Sequence, residues 1–154
     1  MLPVVAASLA CLALVACKPA AEPAAQTTQA PGVSVSEPRL VLPIIAGDPA
    51  ATYFTASNGS DKPASITSVE VEGAGMVMMH DTITEGGKTG MAMMESVAIP
   101  PHGSVTFAPG GKHVMVSGLS DQIKAGAKSK ITLILADGAK VQAGLPVESA
   151  TSGQ

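Results

Sequence analysis

Aromatic residues are almost missing from this chain: it has no tryptophan, one tyrosine and two phenylalanines in 154 residues. A core built from it must be filled by aliphatic side chains and by some of its eight methionines. Thiols are equally scarce. Both cysteines, Cys11 and Cys17, lie near the amino terminus, so residues 18–154 offer no disulfide, no cysteine nucleophile and no thiolate metal ligand. Charge is low, with Asp, Glu, Lys and Arg making up 14% of residues and a formal net charge of −3. The charges fall singly and no basic run occurs, which removes the footing for nucleic-acid binding or an anionic-membrane patch. A convergent Ser/His/Asp set, a Gly-rich phosphate loop and a carboxylate cluster are also absent from the sequence, and the chain reads as a non-enzyme.

What is present begins with residues 1–17, MLPVVAASLACLALVAC, a continuous apolar run too short to span a bilayer as a helix, which needs about 20 residues. It reads as a secretory signal. The run ends in Leu14-Val15-Ala16-Cys17, which resembles the lipobox of bacterial lipoproteins, where the cysteine is acylated and becomes the first mature residue. No Lys or Arg precedes the run. The expected organisation is a signal peptide at 1–16, a lipidated Cys17 with a flexible linker through 32, one domain at 33–149 and a short tail at 150–154, the whole held extracytoplasmically, in the periplasm, by a lipid anchor. Residues 18–32, KPAAEPAAQTTQAPG, lack apolar periodicity and suit a tether. With Cys11 removed and Cys17 acylated, the domain keeps no oxidisable thiol, which suits an oxidising compartment.

From Val33 onward apolar residues recur with period two between Gly, Pro, Asn and Asp clusters, the pattern of an all-β sandwich of short, mainly antiparallel strands. Strands are expected at 33–35, 39–42, 51–56, 66–71, 75–82, 89–97, 104–108, 113–117, 129–135 and 139–147, with turns at Asn58-Gly59, Gly86-Gly87, Pro109-Gly110-Gly111 and Asp137-Gly138 and a helical turn at 119–125.

Seven methionines (Met76, Met78, Met79, Met91, Met93, Met94 and Met115) and two of the three histidines fall between positions 76 and 115. Methionine is a common gap filler, but packing alone does not call for histidines at matching positions. Thioether sulfur with imidazole nitrogen suits Cu(I), whereas zinc favours thiolate, imidazole and carboxylate. Residues two apart on a strand share a face, so Met76, Met78 and His80 point one way and Met79 the other. If the turn after 85 has two or four residues, Met91 and Met93 join the face of His80; centring it on Glu85-Gly86 pairs His80 with Met91, and centring it on Gly86-Gly87 pairs it with Met93. His113 and Met115 share a face directly after Pro109-Gly110-Gly111-Lys112. The four metal ligands expected are His80, Met91, His113 and Met115, with the other methionines at the core or rim, His102 in a solvated turn, and Asp81 and Glu95 facing solvent.

The spacing His-x10-Met-x21-His-x-Met formed by His80, Met91, His113 and Met115 resembles that of the periplasmic copper chaperone PCu(A)C family. So do Pro38-Arg39, the segment Ala50-Ala51-Thr52-Tyr53 leading to Asn58, Ile99-Pro100-Pro101-His102-Gly103 and Val116-Ser117-Gly118-Leu119. The likeness spans roughly 33–147. One departure is that Met79 precedes His80 and Asp81 follows it, where the family often places a methionine after the histidine. The resemblance implies a cupredoxin-like β-sandwich that binds Cu(I) and delivers it to the CuA centre of cytochrome c oxidase, or to a thiol-bearing assembly partner. A copper-buffering or resistance protein with the same site but no dedicated recipient is the alternative. A blue-copper oxidoreductase would need a cysteine ligand, and an Ig-like interaction module would bind no metal.

Overall fold

The computed structural model describes residues 32–150, so the signal, Cys17, most of the linker and the last four residues of the tail lie outside the described residues. Ten strands follow in order: β1 (Val33–Val41), β2 (Ala50–Asn58), β3 (Ala64–Val71), β4 (Met76–Glu85), β5 (Lys88–Met93), β6 (Val97–Ile99), β7 (Ser104–Phe107), β8 (His113–Ser117), β9 (Lys128–Leu135) and β10 (Lys140–Glu148). They form a β-sandwich, as the period-two pattern requires. One layer runs β5-β4-β8-β2-β1, with β7 also paired to β2, and the other runs β10-β9-β3-β6. The layers join where β1 pairs with β10, the one parallel pairing among these strands.

Strict alternation explains the core. Strand β2 buries Ala50, Thr52, Phe54, Ala56 and Asn58, while β8 buries Val114 and Val116 and turns its odd residues outward. Opposite them stand Ile66, Ile131, Leu133, Val141 and Leu145, all fully buried. Removing each such side chain from water stabilises the fold by roughly 1.5–3 kcal/mol. The two phenylalanines, Phe54 and Phe107, stack with centroids 4.4 Å apart and planes 17° from parallel. Asn58, expected as a turn residue, is instead buried at the end of β2. Its Nδ2 donates to the carbonyls of Lys62 and Ile99, and its Oδ1 accepts from the backbone N–H and hydroxyl of Ser60. It ties two loops together and satisfies its own amide.

Three expectations differ in detail. The stretches 33–35 and 39–42 form one strand, with a β-bulge between Ser36 and Arg39 and Glu37 at φ 51°. The extra residue switches the inward parity, so Val33 and Val35 are buried before it and Leu40 after it. The stretch 89–97 divides: β5 ends at Met93, the chain crosses between layers, and β6 pairs with β3 to bury Val97 and Ile99. Residues 119–127 contain no helix; Ile123 N–H donates to the Ser120 carbonyl and Ala127 N–H to that of Lys124 as separate turns.

Candidate metal centre

The candidate donors lie on the outward face of one sheet margin. Strand β4 is sandwiched between β5 and β8, and its register fixes who faces whom. His80 lies directly opposite His113, and Met78 directly opposite Met115. On its other side His80 faces Met93, while Met91 faces Thr82. The β4–β5 turn is the two-residue Gly86-Gly87, with φ of 57° and 76°. Positive φ at both central positions matches the twist of a tight hairpin, and glycine adopts it without a Cβ clash. The Gly86-Gly87 centring is therefore the one adopted. Met91 and Met93 do join the face of His80, with Met93 as its direct partner and Met91 one row further on.

His113 is delivered by a detour. Strands β7 and β8 lie end to end along β2, pairing with its second and first halves respectively. Between them residues 108–112 leave the sheet and return: Gly111 N–H donates to the Ala108 carbonyl, and Ala108 N–H to that of Lys112. The loop also turns the Gly111 carbonyl toward the imidazole of His113, 2.9 Å from Nδ1. A carbonyl only accepts, so Nδ1 carries the proton and a neutral ring presents its lone pair at Nε2. The His80 ring meets that of His113 edge-on, centroids 5.9 Å apart and planes at 85°. Its Nδ1 is buried and has no partner among the described residues. An unpaired polar atom in that setting costs about 1–3 kcal/mol, and a bound cation would satisfy a nitrogen lone pair there.

The methionines sort by side. Met79 points inward and is 5% exposed, and Met94 packs against the same core. Met76, Met91 and Met93 are exposed, and Met78 and Met115 half-buried on the outward face. Met78 and Met93 also border a cleft of about 170 Å³ together with Glu95 and Val69. The register thus brings His80, His113 and Met115 together, places Met91 at the edge of that group, and adds Met78 and Met93, whose parity marks them but whose partners only the β4–β8 and β4–β5 pairings reveal. Asp81 faces away from the histidines and accepts from Lys112 Nζ at 2.7 Å, clamping β4 to the loop before β8. Glu95 is exposed. His102, at φ 51° in an exposed turn, pairs through Nε2 with Asp61 at 2.8 Å and takes no part in the group. Among the described residues no cluster of three His, Cys, Asp or Glu side chains exists. A metal bound here would find thioethers beside the two imidazoles.

Residues 33–147 match the family model described as "Putative lipoprotein LpqE-like". The chain belongs to the LpqE-like family. A curated relative, "Putative lipoprotein Lxx21020" of Leifsonia xyli subsp. xyli (strain CTCB07), is 29% identical over 121 residues, covering 78% of this chain and 72% of the relative. Among solved structures, the Cu(I) form of DR1885 from Deinococcus radiodurans is 29% identical with a TM-score of 0.59, covering 88% of this chain and 85% of that one. The apo PCuAC domain of PmoF2 is 25% identical with a TM-score of 0.63, over 79% of this chain and 93% of that one. The copper-bound PCuAC domain of PmoF2 shares the fold at a TM-score of 0.65 and 22% identity, over 80% and 98%. The PCuAC resemblance read from the ligand spacing holds, and the LpqE-like chain is a PCuAC-type domain.

Proposed function

We propose that this protein is an extracytoplasmic copper chaperone that carries Cu(I) as cargo on His80, Met91, His113 and Met115. It passes the ion to a thiol-bearing acceptor, the CuA-bearing subunit of cytochrome c oxidase or its thiol-bearing assembly partner. The observation that carries the reading is the direct cross-strand pairing of His80 with His113 on a face where Met115 and Met91 also emerge. The Cu(I)-loaded form of a relative with 29% identity supports the metal and its oxidation state. The lipoprotein descriptions of the family and of the Leifsonia relative support anchoring through Cys17.

The chemistry follows from the donors. Cu(I) has a filled d shell and accepts whatever geometry two imidazoles and two thioethers offer. His113 is held by its bond to the Gly111 carbonyl, so it stays in place, whereas Met91, 64% exposed on the β5 hairpin, is the donor most readily displaced. An incoming cysteine thiol loses its proton to solvent, its thiolate takes the place of Met91, and a second thiolate, likewise deprotonated, then draws the ion off Met115 and the two imidazoles. Copper remains Cu(I) throughout and no electron moves. Residues 18–154 have no thiol of their own, so a dithiol acceptor is the softer site and transfer runs toward it. Fifteen residues separate Cys17 from Val33, so an anchor at Cys17 would tie this face to the same membrane as a membrane-bound acceptor.

X-ray absorption of the purified protein loaded under reducing conditions tests the site: the expected result is one Cu(I) with mixed nitrogen and sulfur coordination. In cells limited for copper, deletion lowers oxidase activity and added copper restores it. Full rescue by a His113→Ala/Met115→Ala variant at normal abundance would refute a role for the site in delivery. Cys17→Ser releases the domain from membranes or leaves an unprocessed precursor; a mature protein that begins elsewhere without lipid overturns the anchor.

A further inference from the structure

Four donors do not account for all the exposed sulfur on this face. Met76, Met78 and His80 alternate along β4, each turned outward, and Met76 is 57% exposed beyond the last histidine. The register sets Met78 directly across from Met115 and Met76 across from Ser117. Val77 and Met79 are the residues of this strand that face the core, so packing gives no reason for the exposed Met76, while Met78 is half-buried at the sheet margin.

We propose that Met76, Met78 and Met115 form a second, thioether-only position for a soft monovalent cation, one row along the strands from the histidine pair. The proposal rests on the Cu(I) reading above for the identity of the ion. Directly opposed residues of an antiparallel pair hold their Cβ atoms about 4.5–5.5 Å apart, and residues two apart on one strand are separated by about 6.5–7 Å. Three unbranched side chains, each with three rotatable bonds, converge across such spacings. Thioethers are neutral and soft, so three of them accept Cu(I) or Ag(I) without balancing the charge of a harder dication. Met115 belongs to both positions, since it lies two residues from His113 and opposite Met78. The ion can therefore pass from one position to the other while Met115 stays bound, by exchanging two imidazoles and the Met91 thioether for the thioethers of Met76 and Met78, with no change of oxidation state. The sheet face carries a short track for the ion rather than one fixed point.

The test is a Cu(I) titration, under reducing conditions, of protein labelled with ¹³C at the methionine methyl groups. In the wild-type chain the first equivalent shifts the methyl resonances of Met91 and Met115, and the second, with Met115 kept by the first ion, shifts those of Met76 and Met78, which hold it as a pair. In His80→Ala/His113→Ala, Cu(I) shifts Met76, Met78 and Met115 from the first equivalent, with sulfur-only coordination by X-ray absorption. Adding Met76→Leu/Met78→Leu removes that response. If the methyls of Met76 and Met78 stay unmoved through two equivalents in the wild-type protein while that of Met115 moves, the second position is refuted and the four-ligand reading stands. If no methionine methyl moves in the wild-type protein, the copper reading itself falls.

Discussion

His113→Ala separates binding from folding more cleanly than any other single change. The imidazole lies on the outward face, so its removal opens no cavity beneath Val114 and Val116, which stay fully buried. What the fold loses is the hydrogen bond from Nδ1–H to the Gly111 carbonyl and the edge contact with His80. A bond of this kind contributes about 0.5–1.5 kcal/mol, so the apo domain should melt only about 2–9 °C lower. Copper loses a donor outright. Removing partners that merely orient a ligand weakens metal sites by about 10–100-fold, so loss of the ligand should reach at least the upper end, about 100-fold or roughly 2.7 kcal/mol. The metal effect thus exceeds the folding effect. Competition against a chromophoric Cu(I) chelator gives the first quantity, and thermal melting of the apo protein the second. An affinity within threefold of wild type, in a protein that melts normally, would refute the assignment of His113 as a ligand.

The remaining expectations vary the same logic. Leu133→Ala, in the fully buried part of β9, should show the opposite signature, a loss of about 2–5 kcal/mol in denaturant unfolding with native-state Cu(I) affinity retained; a large affinity loss would mean that the metal face is not independent of the core. Met91→Leu keeps volume nearly constant, so stability should change by under about 1.5 kcal/mol while Cu(I) affinity falls, and unchanged affinity would move the thioether role to Met93, the direct partner of His80. Gly87→Val places a β-branched residue at φ 76° and should cost about 1–3 kcal/mol, seen as faster amide exchange in β4 and β5 than in β9; uniform loss across both layers would show that the hairpin is no separate unit. Lys112→Met breaks the pair with Asp81, both partly exposed, so stability should fall by no more than about 1 kcal/mol and copper affinity should barely change.

The ligand spacing and the strand periodicity were legible because both are local. His113, Val114, Met115 and Val116 announce alternate faces within four residues, and β8 has the bounds its sequence suggests. What the sequence could not settle depended on turn geometry and on distant partners. Either glycine-containing centring was compatible with residues 83–90, and only the positive φ of both Gly86 and Gly87 selects the pairing that puts Met93 rather than Met91 across from His80. The split of 89–97 into β5 and β6 was hidden because no Gly, Pro, Asn or Asp marks the crossing, although the inward positions change parity there, from Ala92 and Met94 to Val97 and Ile99, as the partner changes from β4 to β3. The bulge in β1 was equally hidden, since one extra residue reverses the inward parity without altering composition. Asn58 reads as a turn residue beside Gly59, and its burial became evident only from the loops it joins.

The joining of β1 to β10, through Leu40 with Val147 and Val41 with Glu148, bears on how the protein comes to exist. The first strand finds a neighbour in the other layer only when the last strand has been made, so the sandwich cannot close while its carboxy-terminal residues are still inside a ribosome or a translocation pore. Topologies dominated by such distant pairings fold in milliseconds to seconds rather than microseconds, and until closure the strand edges stand open to mispairing. A ligand that binds only the finished fold stabilises it by mass action, so under the proposed reading copper would act as a selector of finished molecules rather than a template for them.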